Sequence, residues 1–169
     1  RVFAWKLILG YNGVINGSLS NLGLIDNPLS FLLYNPFAVF VTLAHAWSAF
    51  AILPIYVSLE KIDRSLLEAA ADLGDSAFRR FWRITFPLSF PGVLAASMII
   101  FIPTTGDFIT PKLVGGSEGI MVANLIQVMF GKANNWPLGS SLAIITMTIV
   151  TLSVICFVVI SRWLISRIK

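Results

Sequence analysis

Three long apolar runs dominate the chain, and polar or charged residues collect in the segments between them. The runs cover roughly residues 36–59, 88–108 and 138–160. Each is long enough to cross a bilayer, because a spanning helix needs about 20 apolar residues. A segment inside lipid must satisfy its own backbone hydrogen bonds, so all three runs are expected to be helices.

A different pattern fills residues 60–87, between the first two runs. Apolar residues share one face of a short first helix at helical spacing: Ile62, Leu66, Ala69 and Leu73. Gly74 is expected to end that helix, and Asp75 or Ser76 to cap a second one. On the second helix an aromatic face is expected opposite an arginine face: Phe78, Phe81, Trp82 and Thr85 against Arg79, Arg80 and Arg83. Pro87 is expected to end this second helix. The segment is therefore predicted to be a helix–turn–helix whose first helix packs its apolar face against the rest of the chain.

The composition favours a membrane protein. Of 169 residues, 57% are hydrophobic and only 12% are charged, whereas soluble domains carry about 25% charged residues. The expected fold class is all-α integral membrane, with three transmembrane helices and a cytoplasmic helix–turn–helix loop. The formal net charge is +4, and the basic residues lie beside the apolar runs. This placement favours a role in membrane orientation over nucleic-acid binding. The single cysteine, Cys156, permits no disulfide within the chain, and no metal-binding spacing is present.

Basic residues concentrate on one side of the predicted topology. The segment 60–87 carries five and the tail carries three: Lys61, Arg64, Arg79, Arg80 and Arg83, then Arg162, Arg167 and Lys169. By parity these two segments share one side of the membrane, and the positive-inside rule assigns that side to the cytoplasm. Residues 1–35 and about 109–137 are then expected to face outward.

Three residues are candidates for a substrate pathway. Asp107, at the outer end of the second run, suits a passage for cations, or is an acid solvated at the outer interface. His45 is either a pathway residue or a histidine hydrogen-bonded inside the helix bundle. Trp47 either contacts an amine through its ring or simply packs. The sequence shows no nucleophile–base pair and no phosphate-binding glycine loop, so the chain is not expected to be an enzyme.

The spacing within residues 60–87 resembles the EAA motif of binding-protein-dependent ABC importer permeases. Glu68-Ala69-Ala70 is followed by three residues, Gly74, nine residues, Ile84, one residue and Phe86-Pro87. The motif of the family has the same residues at the same spacing, except that Leu stands where this chain has Phe86. A motif spread over this length is highly specific.

The resemblance implies that the segment is a coupling loop that docks on a cytoplasmic ATPase dimer. In this family the ATPase binds the ATP, so the permease itself holds no cofactor, and closure of the dimer switches the permease between inward- and outward-facing states. By carry-over from the family, Glu68 makes the polar contact to the ATPase, Ala69 and Ala70 pack in the ATPase cleft, and Gly74 permits the sharp turn after the helix. The remaining coupling positions are Asp72, Ile84 and Pro87. Other implied partners are a second permease subunit, an external substrate-binding protein and the lipid of a bacterial inner membrane.

Further segments are similar to the spermidine/putrescine permease group: residues 1–5, 13–16, 22–25, 53–54, 59–63, 72–74, 87–92, 106–108, 111–116 and 135–139. This similarity implies a polyamine as the solute, although Pro103-Thr104-Thr105 departs from the pattern of the group. The complete subunit of the family has roughly six spans. The chain is therefore expected to be a single partial permease domain that lacks its N-terminal spans and does not transport alone.

Two other functions remain open for an integral membrane chain of this kind. One is a fragment of an ion-driven secondary transporter, which favours ionisable residues near the membrane centre and internal repeats. Only His45 fits that description, and no repeat is visible. The other is a membrane assembly subunit that transports nothing, and the motif spacing argues against it.

Overall fold

The structure is a computed structural model that describes the backbone of residues 1–168 and the side chains of residues 1–161 and 163. The basic tail that supports the orientation above, Arg162, Arg167 and Lys169, lies outside these described side chains. Within the described backbone the chain is helical and has no strand. The expected all-α fold is thereby confirmed.

Eight α-helices make up most of the described chain. They are α1 Val2–Leu9, α2 Val14–Asn21, α3 Pro36–Glu60, α4 Arg64–Asp72, α5 Ala77–Arg80, α6 Phe86–Thr105, α7 Val122–Gly131 and α8 Trp136–Ile168. Shorter helical turns join some of them: a 3₁₀ turn at Ser30–Leu32 and π-helical turns at Phe81–Thr85 and Pro111–Gly115.

Three helices are long and apolar enough to cross a membrane: Pro36–Glu60, Ala77–Thr105 and Trp136–Ser161, with mean hydropathies of 1.8, 1.8 and 2.7. They correspond to the three apolar runs of the sequence. The second differs in its bounds, because it begins before the apolar run and ends at Thr105 rather than Phe108.

The expected helix end at Pro87 is wrong. The helix runs through this residue from α5 into α6. The π-helical turn just before it explains the difference, since the Phe86 N–H donates to the Phe81 carbonyl five residues back. This wider register accommodates a residue that lacks an N–H and that would clash with a normal preceding turn.

The first compact unit comprises residues 1–47 and 103–148. Its core is formed by Leu9, Ala38, Val39 and Val114, and the Tyr34 N–H donates to the Val114 carbonyl at 2.8 Å. Two glycines permit this packing. A Cβ at Gly115 would lie 2.8 Å from Val39 Cγ2, and Gly116 has a φ of +62° with Tyr34 O 2.6 Å from its would-be Cβ.

The second compact unit comprises residues 48–102 and the chain from Ile149 onward. Within it α3 and α6 approach closely at Gly92, whose would-be Cβ would lie 2.6 Å from both Pro54 O and Ser58 Cβ. Ser89 and Ala96 are buried on either side of this glycine. Small residues at such positions let helix backbones approach in a bilayer.

Candidate functional site

The first helix of the segment 60–87 begins at a defined cap. Asp63 has extended backbone geometry, and its carboxylate accepts a hydrogen bond from the Ser65 N–H at 2.9 Å. This satisfies one of the amides that a helix start leaves unpaired. The same amide bond, followed by the Ser65 hydroxyl, lowers the pKa of the exposed Asp63 carboxyl. The cap therefore acts in its ionised form.

The same helix ends where the glycine predicts. Gly74 has a φ of +86°, its N–H donates to Ala71 O at 2.9 Å, and the Asp75 N–H donates to Ala70 O at 3.0 Å. This pair of bonds is the Schellman motif, which terminates helices with a left-handed residue. The prediction that Gly74 stops α4 is confirmed, and Ser76 caps α5 by accepting from the Arg79 N–H.

The prediction that the apolar face of α4 packs against the rest of the chain is wrong. Leu66 and Ala69 are exposed, and Leu73 is 87% exposed, whereas Leu67 is half-buried and Ala70 is only 8% exposed. From beyond the Gly74 turn, Arg80 donates to Leu67 O on this covered side. Spacing alone cannot reveal such tertiary contacts.

The structure gathers some of the motif residues and separates others. Glu68, Ala69 and Asp72 are exposed on α4 beside Leu66 and Leu73. Ala70 belongs to the covered side of the same helix. Ile84 and Pro87 are half-buried on the continuous helix Ala77–Thr105. At about 3.6 residues per turn, the exposed acids Glu68 and Asp72 form one strip along α4, and Leu66, Ala69 and Leu73 form an adjoining strip.

Asp75 joins α4 to the helix that follows it, a role the sequence analysis missed. Its N–H completes the end of α4, and its carboxylate accepts from Arg83 Nη1 at 3.0 Å and from Arg79 Nη1 at 3.5 Å. The Asp75 side chain is 12% exposed, while both arginines are well exposed. The spacing of Asp75 and Arg79 is the four-residue interval of helical ion pairs and could have indicated this contact.

Aromatic rings line the start of the same continuous helix. Trp82 and Phe86 have ring centroids 5.1 Å apart, Phe81 and Trp82 5.5 Å, and Phe86 and Phe90 5.6 Å. Phe86, the departure from the motif, therefore sits inside a ladder of aromatic contacts. Such contacts stabilise beyond the area they bury, which fits a firm junction between the loop and α6.

Asp107 has a local structural role. Its carboxylate accepts from the N–H groups of Ile109 and Thr110 at 2.8 and 3.0 Å and from the Thr110 hydroxyl at 2.5 Å. It is half-buried, and it caps the helical turn that leads to Pro111–Gly115. Both carboxylate oxygens accept hydrogen bonds from neighbouring groups, and a pathway role for Asp107 stays a prediction.

The other two pathway candidates lie on α3 in the first unit. The Trp5 indole N–H donates to His45 Nδ1 at 3.1 Å, and the two rings are edge-on at 5.4 Å. An indole can only donate, so His45 Nδ1 is the acceptor in this bond. Trp47 is half-buried. A pathway role for either residue stays a prediction.

An apolar cavity of about 320 Å³ lies between α6 and α8 in the second unit. Its lining residues are Ser97, Met98, Phe101, Ser153, Val154 and Phe157. Both serine hydroxyls donate to carbonyls of their own helices, Val93 O and Ile149 O. The cavity therefore offers an apolar wall rather than free polar groups.

Known proteins resemble this chain over most of its length. The spermidine/putrescine transport system permease protein PotB of Haemophilus influenzae is 38% identical over 144 residues, or 85% of this chain and 50% of that protein. PotB of Escherichia coli is 38% identical over 150 residues, or 89% of the chain and 54% of that protein. The inner membrane ABC transporter permease protein YdcU of Escherichia coli is 32% identical, over 90% of the chain and 51% of that protein.

The chain spans about half the length of these curated relatives. The family described as binding-protein-dependent transport system inner membrane component matches residues 3–169, which is nearly the whole chain. This match and the permease relatives agree with the all-helical fold and with the motif on α4. The chain therefore belongs to the family of binding-protein-dependent transport system inner membrane components.

Proposed function

We propose that this chain is part of the permease subunit of an ATP-driven importer, and that α4 is the element by which the subunit engages a cytoplasmic ATPase. The observation that carries the proposal is the exposed side of α4. Glu68, Ala69 and Asp72 of the motif stand exposed there beside Leu66 and Leu73. An apolar strip beside exposed acids is a composition that suits a protein interface.

The geometry of α4 supports a docking role for this surface. Asp63 caps its first turn and the Schellman motif at Gly74 closes its last, so both ends of the exposed side are defined. Leu73 lies at the very end of the helix and is 87% exposed, although burying such a side chain is favourable by about 1.5–3 kcal/mol. A partner that covers Leu73 would gain that stabilisation.

We further propose an orientation and additional partners, supported by membership of the family. We place the segment 60–87 and the C-terminus in the cytoplasm, where its basic residues agree with the positive-inside rule. A second permease subunit and an external binding protein complete the importer, and the ATP is held by the ATPase. Residues 1–35 and about 109–137 face the opposite side, where the binding protein delivers the solute.

The solute that we propose is a polyamine. The support is the identity of 38% to two proteins named as spermidine/putrescine permeases. Asp107 contributes little to this assignment, since its carboxylate is engaged in capping. We assign recognition of the cation to the whole importer rather than to that carboxylate.

The test is co-purification of the complete subunit with its ATPase, using the wild type, Glu68→Arg and Glu68→Gln. We expect Glu68→Arg to weaken ATPase binding roughly tenfold or more, because it places a cation where an acid docks. Glu68→Gln keeps the shape and should have a smaller effect. Glu118→Arg, a charge reversal at an exposed acid far along the chain, is the matched control.

Two outcomes oppose the proposal. Binding of the ATPase that is equal in all four proteins would remove α4 from the interface. Uptake of labelled spermidine that continues when ATP hydrolysis is abolished, but stops when the ion gradient is collapsed, would favour an ion-driven transporter instead.

A further inference from the structure

Two residues beyond the end of α4 tie it to the helix that follows, and their side chains reach in opposite directions. Asp75 donates its N–H to Ala70 O at 3.0 Å, while its carboxylate pairs forward with Arg83 at 3.0 Å and Arg79 at 3.5 Å. Arg80, on α5, reaches back and donates from Nη1 to the Leu67 carbonyl at 3.3 Å. The Arg80 bond spans Gly74, whereas the Asp75 ion pairs lie after it and are joined to α4 through the Asp75 N–H.

These links matter because the turn itself is a weak point. A Cβ at Gly74 would meet open space outside its chain neighbours, so the backbone bonds that end α4, rather than side-chain packing, hold this position. Glycine also has more conformational freedom than any other residue. Without further contacts, a push on α4 would be absorbed by rotation about Gly74.

The helix on the far side of the turn is continuous. It runs from Ala77 to Thr105 and includes the π-helical turn at Phe81–Thr85. Aromatic contacts among Phe81, Trp82, Phe86 and Phe90 follow its first turns. The non-helical backbone between α4 and this helix is residues 73–76, which include Gly74.

We propose that Asp75 and Arg80 are positioning residues that hold α4 at a fixed angle to the helix Ala77–Thr105, so that displacement of α4 moves this helix instead of bending the turn at Gly74. The proposal rests on the proposed function, since it concerns how movement of the ATPase reaches the membrane. Neither residue needs to touch the ATPase. Asp75 acts through its mostly buried carboxylate, and Arg80 is half-buried against α4.

The charges and donors at these positions define matched variants. Asp75→Asn removes the charge that two arginines share, and Asp75→Glu keeps it. Arg80→Gln removes the guanidinium, and Arg80→Lys keeps a cationic donor for Leu67 O. Lysine lacks the Nε of arginine. It is a suitable replacement for Arg80, because this buried Nε has no hydrogen-bond partner among the described residues.

The experiment uses the complete importer in liposomes and compares ATPase binding, ATP hydrolysis and uptake of labelled spermidine. For Asp75→Asn and Arg80→Gln we expect normal ATPase binding and hydrolysis, but roughly fivefold less spermidine carried per ATP. Asp75→Glu and Arg80→Lys should carry as much spermidine per ATP as the wild type. Arg79→Gln, which removes the longer and more exposed contact, should leave it within about twofold of the wild type.

A second measurement tests the link directly in the permease subunit. Spin labels at Ser65→Cys and Leu88→Cys, with Cys156→Ser to remove the native thiol, report the distance between α4 and α6. We expect one narrow distance distribution in the parent and a broader one with Asp75→Asn or Arg80→Gln. The control Arg79→Gln should stay narrow.

The possible results distinguish the positioning role of Asp75 and Arg80 from the docking of α4 on the ATPase. Unchanged uptake per ATP and unchanged label distances in Asp75→Asn and Arg80→Gln would overturn the positioning role while leaving ATPase docking intact. Loss of ATPase binding in these variants would also overturn it, since the residues would then belong to the docking surface. Absence of ATPase binding in the wild type would instead remove the proposed function on which the inference rests.

Discussion

Gly92 of α6 lies so close to Ser58 of α3 that a Cβ atom at position 92 would come within 2.6 Å of Ser58 Cβ. The carbonyl oxygen of Pro54 is equally near. A rotating hydroxyl can move away from an added methyl group, but these two atoms belong to the helix framework. The contact therefore admits glycine alone unless the helices separate.

We predict that Gly92→Ala destabilises the protein by about 1–3 kcal/mol, the usual cost of overpacking. The measurement is thermal unfolding of the purified subunit in detergent. Gly131→Ala is the control, because no atom lies within 4 Å of its would-be Cβ. Adding Ser58→Gly should recover part of the loss but not all, since Pro54 O remains in place. An unchanged midpoint for Gly92→Ala would contradict the close approach.

A second prediction concerns backbone strain at Gly74. Gly74→Ala meets no steric neighbour, so its cost is the left-handed conformation itself, about 1–2 kcal/mol. Gly74→Asn should cost less, because asparagine tolerates this region better. The amides of residues 74 and 75 close the Schellman motif. Their hydrogen-exchange rates therefore report fraying at the end of α4. Equal exchange for alanine and asparagine would show that strain at this residue does not control the helix end.

A third prediction follows from the lowered pKa of Asp63. Because the folded pKa lies below the ordinary value of 3.8, the ionised cap stabilises α4 above that pH. This stabilisation is lost as the pH falls through the folded pKa. Nuclear magnetic resonance of isotope-labelled serine should show the Ser65 amide shift titrating with a midpoint below 3.8. Asp63→Asn should keep a cap and abolish the titration, and a midpoint above 3.8 would contradict the assignment.

A fourth prediction concerns Asn16, which is 1% exposed. Its amide nitrogen donates to Gly10 O and Leu29 O, and its oxygen accepts from the Leu29 N–H at 2.8 Å. Asn16→Ala leaves these buried groups unpaired and should cost about 1–3 kcal/mol in thermal unfolding. Asn21→Ala, at an exposed position, should change stability by less than about 0.5 kcal/mol. Similar effects of the two variants would show that the Asn16 bonds do not stabilise the fold.

Much of the fold could be predicted from the sequence, because the relevant signals are local. Length and hydropathy identify the helices that can cross a membrane. Gly74 marks the end of α4, because the motif that ends a helix depends on a residue that adopts positive φ. The motif spacing around Glu68 identified the family.

Two errors concern contacts that sequence spacing does not encode. The covered side of α4 carries Leu67 and Ala70, and Arg80 from the next helix donates to Leu67 O there. The helix continues through Pro87 because a π-helical turn precedes it. The hydrogen bonds of Asp107 with Ile109 and Thr110 were likewise not foreseen, and a pathway role for Asp107 stays a prediction.

The contact of α6 with α3 at Gly92 lies near the middle of the continuous helix Ala77–Thr105. At a rise of 1.5 Å per residue, roughly 22 Å of helix precede Gly92 and roughly 20 Å follow it. A tilt of the helix about this contact would move the segments before and after Gly92 in opposite directions.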